Sequence, residues 1–239
     1  MTNKKNTDKE LWEFHQTENI AVFEVGHPRQ DMLYKQALSL RKDGNVLEIG
    51  FGDGYLLNKL AKNYHCYGAD ISQGNLKRLS KSCKYINTSL IDIDGKIPFK
   101  DNMFDFFIAS EVLEHMNNRE LMVCIKEMLR VLKPDGYAIL TVPADENLKN
   151  NECFCPNCKN IFHRWGHEQT WSIGKVKKEF KEFKIIKIKK FWNRYIEKSK
   201  IQNLASYMPY ILRIIFGKIL KLENSNYLII LKKKSKKGE

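Results

Sequence analysis

The stretch Val46-Leu47-Glu48-Ile49-Gly50-Phe51-Gly52-Asp53-Gly54 decides how this chain is read. A short apolar run ends abruptly in three alternating glycines. The run has the length and composition of a buried strand, and the glycines mark a turn at its carboxyl end. Glycine admits positive φ there and lets a ligand approach the backbone closely. Residues 55–61 follow with helical spacing of Leu56, Leu57, Leu60 and Ala61, so a helix starts just past the turn. Free N–H groups at a helix start favour negative ligand groups. About twenty residues on, a second apolar run, 65–71, carries Asp70 near its end. A carboxylate in that place can accept both hydroxyls of an adenosine ribose. The spacing is G-x-G-x-G, whereas the dinucleotide fingerprint is G-x-G-x-x-G.

Working outward, strands and helices alternate. Helix-like spacing covers 73–82, a short strand is expected near 84–87, and 104–109 is a buried aromatic strand. Residues 118–132 form an amphipathic helix with Leu121, Ile125, Met128 and Leu132 on one side. Lys133-Pro134-Asp135-Gly136 is a turn, and 137–142 is a further strand. This rhythm implies βαβ units and a parallel sheet. Right-handed crossovers place the strand carboxyl ends on one edge, where open α/β sheets bind ligands. Beyond residue 170 the pattern changes. Residues 183–191 partly alternate, with Ile186 and Ile188 on either side of Lys187, as in a half-exposed strand; 226–231 reads as a last strand.

Five segments in order then resemble the class I S-adenosylmethionine-dependent methyltransferases, continuously over residues 45–143. Glu48-x-Gly50-x-Gly52-x-Gly54 is similar to their first motif. Asp70, in Tyr67-Gly68-Ala69-Asp70-Ile71-Ser72, matches their second. Ile91-Asp92-Ile93-Asp94-Gly95-Lys96-Ile97-Pro98-Phe99 resembles their adenine loop. Ser110-Glu111-Val112-Leu113-Glu114-His115 resembles the turn after their fourth strand, and Arg130-Val131-Leu132-Lys133-Pro134-Asp135-Gly136 their helix-to-strand connection. The resemblance is closest to the small-molecule enzymes that share Glu-Val-Leu-Glu-His. It implies an α/β fold: a Rossmann-like, doubly wound, seven-stranded and mostly parallel sheet, its last strand antiparallel. It also implies S-adenosylmethionine contacts at Glu48, Gly50, Gly52, Gly54, Asp70, Ile71 and Ser110, with Asp92 on the adenine amino group and Ile93 near the ring. We expect 1–44 to form a helical cap behind a frayed first ten residues. The cofactor core spans 45–143, a Cys/His insertion 144–170, and helix and strand that complete the same domain 171–239.

Glu111, Glu114 and His115 fall at i, i+3 and i+4, so on a helical turn they would share a face. That face could hold a base, His115, or a divalent cation; some quinone O-methyltransferases of similar sequence use this run for a metal. Equally, Glu111 could lie beside the cofactor while the other two orient the turn. His27, beside Pro28, is either a cleft residue or a turn residue. The acceptor expected is a small hydroxylated molecule such as a glycan or quinone, methylated at oxygen. The Asn/Asp-Pro-Pro-aromatic signature of base amino methyltransferases is replaced by Ala109-Ser110-Glu111-Val112.

Residues 153–167 contain Cys155, Cys158, His163 and His167 in a C-x2-C-x4-H-x3-H array. Four such ligands would close a structural zinc site. A redox pair at Cys155 and Cys158, or an unliganded loop, is the other reading. Because the segment follows the fifth strand, it lies over the active edge of the sheet.

Charge is uneven. The chain of 239 residues carries 41 Lys/Arg against 28 Asp/Glu, and residues 175–239 alone hold 19 against 5. Such a tail suits an anionic partner or is simply a solvated face. It keeps an RNA methyltransferase as the rival function, less favoured than a small-molecule enzyme, with a catalytically silent scaffold and a nicotinamide oxidoreductase behind it. Residues 207–222 form an apolar helical stripe with a basic polar face. It could contact a membrane surface, although packing on its own domain is favoured. The polar start does not read as a signal peptide, so a cytoplasmic address is expected.

Overall fold

A computed structural model describes residues 21–24, 26–83, 85–92, 94–192 and 225–235. The expectations for residues 1–20, for Ile93 and for the helix at 207–222 lie outside the described residues. The elements used below are α1 (His27–Leu40), β1 (Asn45–Ile49), α2 (Tyr55–Leu60), β2 (His65–Asp70), α3 (Gln73–Ser82), β3 (Asn87–Leu90), β4 (Phe104–Ser110), α4 (Asn118–Val131), β5 (Leu132–Pro143), β6 (Glu152–Phe154), β7 (Ile161–His163), α5 (Ile173–Glu179), β8 (Phe183–Trp192) and β9 (Ser225–Lys233).

Seven strands pair in the order β3-β2-β1-β4-β5-β9-β8. The contacts from β3 through β5 are parallel. Strand β9 is antiparallel to both of its neighbours, β5 and β8. This is the Rossmann-like sheet that the sequence implied. Strand order reverses at β1 and β4, which places Gly50 and Ser110 side by side at the carboxyl edge through the pairing of Ile49 with Ala109. Strands β1 and β4 are covered on both sides, which explains why they read as unbroken apolar runs. Leu47, Ile49, Phe107 and Ala109 pack into one layer and Val46, Phe106 and Ile108 into the other.

The opposite end of the sheet is tied by one carboxylate. Asp105, buried in β4, accepts hydrogen bonds from Arg41 (2.5 Å), Lys133 (2.7 Å) and the Asn45 backbone N–H (2.9 Å). Burial alone would raise its carboxyl, but Lys133, Asn45 and Arg41 outweigh burial and hold it below the usual range.

Three expectations shift. Strand β3 sits at 87–90, beyond the expected 84–87, because its register is set by pairing with Tyr67–Asp70 and not by its own polar, half-exposed residues. Strand β5 begins at Leu132, before the turn, and carries Lys133 to Gly136 as a bulge with Asp135 at φ +62°. In β8 a register shift between Ile185 and Lys187 breaks the expected alternation: Ile185 and Ile188 pack on the core while Ile186 is exposed. None of the six cysteines is in a disulfide, and no helix among the described residues is long and apolar enough to cross a membrane.

Candidate active site

The glycine turn is built as expected, with Gly50, Gly52 and Gly54 at φ +63°, +55° and +79°. Each is closely packed: a Cβ at Gly50 would stand 2.6 Å from Val112, one at Gly54 2.6 Å from Leu79, and one at Gly52 2.8 Å from the Phe23 ring. Asp53 does two jobs. Its Oδ1 accepts the Tyr55 N–H at 3.0 Å, and its Oδ2 lies 2.7 Å from His27 Nε2, whose ring stacks on Tyr55. His27 is therefore a strut between α1 and the turn. The start of α2 spends its first N–H on the protein's own carboxylate, so the expectation that this helix presents its N–H groups to an anion is not met there.

Carboxylates dominate the turn instead. Glu48 is buried beneath it, and its Oε2 has no hydrogen-bond partner among the described residues. Burial, then the charges of Asp53 and Asp70, push its carboxyl well above the ordinary range. Asp70, buried at the end of β2, accepts the Ser72 N–H (2.8 Å) and the Asn75 side-chain amide (3.1 Å). Burial raises it too, against hydrogen bonds from Ser72, Asn75, Gly52 and Ile71. An acidic turn of this kind suits a ligand bearing a cation and opposes a pyrophosphate.

Next to Asp70, Ile71 is 63% exposed and Leu90, the cross-strand neighbour of Asp70, 45% exposed, so apolar surface is uncovered there. Asp92 fixes its own loop, with Oδ1 accepting the N–H groups of Asp94 (3.0 Å) and Lys96 (2.7 Å). Ser110 Oγ accepts from Arg29 Nε at 2.9 Å and lies 3.2 Å from Thr141 Oγ1.

The Glu-x-x-Glu-His run does not form one face. Glu111 adopts φ +56°, which turns the chain before a short 3-10 turn at Leu113–His115. Its side chain goes to Asn226 (2.5 Å), with Arg29 Nε 4.0 Å away. Glu114 points elsewhere. It is fully buried, and neither carboxylate oxygen has a hydrogen-bond partner among the described residues. Burial, then the Glu111 charge, raise its carboxyl well above the usual range. His115 Nδ1 lies 3.3 Å from the Gly166 carbonyl oxygen; burial, then the nearby His167, push its imidazole down to about 3.

The proposed zinc knuckle is corrected. Its four residues do not converge, because the segment is a two-stranded hairpin in which β7 pairs with β6 and His163 stands opposite Glu152. Cys155 lies three residues further along the hairpin, about 10 Å away at strand rise. The histidines turn to Glu146 instead. His167 Nδ1 is 2.5 Å from Glu146 Oε2, and His163 Nε2 is 3.4 Å from Glu146 Oε1. The rings of His163 and His167 stack at 4.5 Å, and His115 meets His167 edge-on at 4.8 Å. Sequence reasoning missed Arg29, Asn75, Glu146 and Asn226. Asn75 alone left a trace, since Ser72 three residues earlier is a helix-cap residue.

Comparison with known proteins finds relatives of this core. Residues 47–140 match the family model described as a methyltransferase domain. Over those residues the chain is similar to that domain, and its sheet has the fold of solved methyltransferases. Its curated relatives include an uncharacterized protein of Methanocaldococcus jannaschii, 35% identical over 124 residues, covering 52% of this chain and 51% of that protein. The norajmaline N-methyltransferase of Rauvolfia serpentina is 28% identical over 132 residues, covering 52% and 44%. The chain thus spans about half the length of the curated relatives it matches. Among solved structures, the Burkholderia thailandensis 1,6-didemethyltoxoflavin-N1-methyltransferase, with bound 1,6-didemethyltoxoflavin and S-adenosylhomocysteine, superposes with a TM-score of 0.66. It is 9% identical, and the match covers 96% of this chain and 88% of that one. The chain therefore has its fold in common with these proteins.

Proposed function

We propose that this chain binds S-adenosylmethionine at the glycine turn and transfers its methyl group to the oxygen of a small hydroxylated acceptor. The observation that carries the reading is the buried, unpartnered Glu48 carboxylate beneath Gly50 and Gly52, with Asp53 and Asp70 beside it. The cofactor supplies an activated methyl group on a sulfonium, together with an ammonium group. Glu48 would accept from the ammonium, and its charge would be restored by that cation. Asp70 would grip the ribose, releasing Asn75 as it does so. Ile71 would lie against the adenine ring, with Asp92 at the ring edge and Ser110 beside the amino-acid end.

The acceptor end lies where Ser110, Glu111, Glu114 and His115 leave the sheet. His115 stays uncharged at neutral pH, so it would orient an acceptor hydroxyl without carrying a charge to it. Positioning supplies much of the rate of such a displacement. The experiment is to incubate the full chain and methyl-labelled cofactor with extract, separated into metabolite, RNA and protein fractions. Label in the metabolite fraction supports the reading. Label in RNA alone would replace it with nucleic-acid methylation, which the exposed Lys184, Lys187, Lys189 and Lys190 of β8 favour as the second reading.

A further inference from the structure

Glu114, His115 and His167 come together from two distant parts of the chain. One ligand atom from each lies within 4.8 Å of the others. His115 Nε2 is 3.9 Å from Glu114 Oε1. Tetrahedral zinc with bonds near 2.0–2.1 Å needs neighbouring donors about 3.4 Å apart, so the Glu114–His115 pair has to close by about 0.5 Å and the widest separation by up to about 1.4 Å.

The hydrogen bonds around the triangle set the tautomers. A carbonyl oxygen only accepts, so the tautomer of His115 that satisfies Gly166 O has its proton on Nδ1 and its lone pair on Nε2; the ring also hydrogen-bonds to the Trp165 backbone. The Glu146 carboxylate does the same for His167 by holding Nδ1, which makes Nε2 the donor atom there. Both oxygens of the buried Glu114 lack a partner among the described residues, and a buried carboxylate in that state is costly unless a cation joins it. Neighbouring groups are sorted out of the set by the same logic. His163 Nδ1 accepts the N–H groups of His167 (3.0 Å) and Trp165 (3.3 Å), so in the neutral ring its Nε2 bears the proton and is no ligand. Glu111 is committed to Asn226, and the cysteines lie at the far end of the hairpin.

We propose that Glu114, His115 and His167 form a two-histidine, one-carboxylate site for a divalent transition ion of the zinc class, with Glu146 as the outer carboxylate that orients His167. Three protein ligands leave a coordination position open, which an oxygen ligand such as water or a hydroxyl can take. The site differs from a cysteine knuckle in its donors and from a Glu-x-x-Glu-His site in recruiting the hairpin. It stands independently of methyl transfer.

The test is zinc titration of the chelator-stripped full chain, with bound metal counted by elemental analysis. One equivalent is expected in the wild type. Glu114→Gln and His167→Asn should each weaken binding at least about 100-fold, and Glu146→Gln about 10- to 100-fold, the range seen for outer-shell partners. Cys155→Ser with Cys158→Ser should leave it unchanged. S-adenosylhomocysteine binding by each variant reports whether the fold survives. Cobalt bound to the wild type should show nitrogen and oxygen ligation without a thiolate charge-transfer band, a readout that needs no variant. No zinc bound at about 100 µM, a thiolate band, or loss of metal in the cysteine variant alone would overturn the proposal.

Discussion

Glu48 is a carboxylate buried without compensation, held in place by the strand it belongs to. Replacing it by Gln removes the cost of burying a charge while keeping the shape. Glu48→Gln is therefore expected to leave the melting temperature of the ligand-free protein unchanged or raised, and to weaken S-adenosylhomocysteine binding. A hydrogen bond to a charged group contributes about 1.5–3 kcal/mol, so the loss should be about 10- to 100-fold. The pH dependence has a definite sign. In the free protein the carboxyl is raised, so it holds its proton at pH values where a free glutamate has lost it. A bound ammonium stabilises the ionised form. Affinity should therefore fall as the solution is acidified, with proton release on binding. Calorimetry in two buffers of different ionisation enthalpy checks this; the same heat in both would contradict it.

At the scale of elements, the glycine turn and its neighbours were legible and the insertion was not. Strands β1 and β4 announce themselves because both faces are buried, and the turn announces itself because glycine takes three alternating positive φ values at least cost. Strand β3 was displaced because a polar edge strand carries no apolar signature of its own. The bulge in β8 was hidden because Ile185-Ile186-Lys187-Ile188 is compatible with either alternation. The Cys155 to His167 spacing fits a knuckle by ligand count alone; on a hairpin the same spacing separates thiols from imidazoles. Glu111 was assigned to the face of Glu114 and His115 because its left-handed backbone is not visible in residue spacing. The contact of Phe23 with Gly52 gives this scale its own expectation. Gly52→Ala adds a Cβ 2.8 Å from the ring at a strained φ, so Phe23 and the turn must separate. Cofactor binding should fall at least about tenfold, and thermal unfolding should report a loss of about 1–3 kcal/mol. Undiminished binding with an unchanged melting curve would show that the turn is looser than described.

For the molecule as a whole, the two ends of the sheet have opposite electrostatics. The carboxyl edge gathers Glu48, Asp70 and Glu114, whose carboxyls burial pushes upward, and the amino end holds Asp105 among Arg41, Lys133 and the Asn45 N–H. Because the Asp105 carboxyl is depressed on folding, its stabilising contribution is present above the ordinary aspartate range and is lost as pH falls through its lower folded value. Asp105→Asn should cost about 2–3 kcal/mol at neutral pH, the scale of charge-assisted hydrogen bonds, and the difference from the wild type should shrink in acid. Urea unfolding at several pH values measures it; a pH-independent difference would contradict the assignment. The parallel core was legible from the βαβ rhythm and the antiparallel β9 from the family resemblance, whereas the order of the strands was not read. The meeting of β4's turn with the hairpin histidines, which brings His115 to His167, was not, since no local pattern encodes a contact across 52 positions.

The most direct measurement is isothermal titration of the full chain with S-adenosylhomocysteine, beside an Asp70→Asn variant that keeps the wild-type circular dichroism. The account predicts a single saturable site in the wild type and an affinity at least about tenfold lower in the variant. Absence of binding by a folded wild-type chain, or equal affinity in the two proteins, would contradict it.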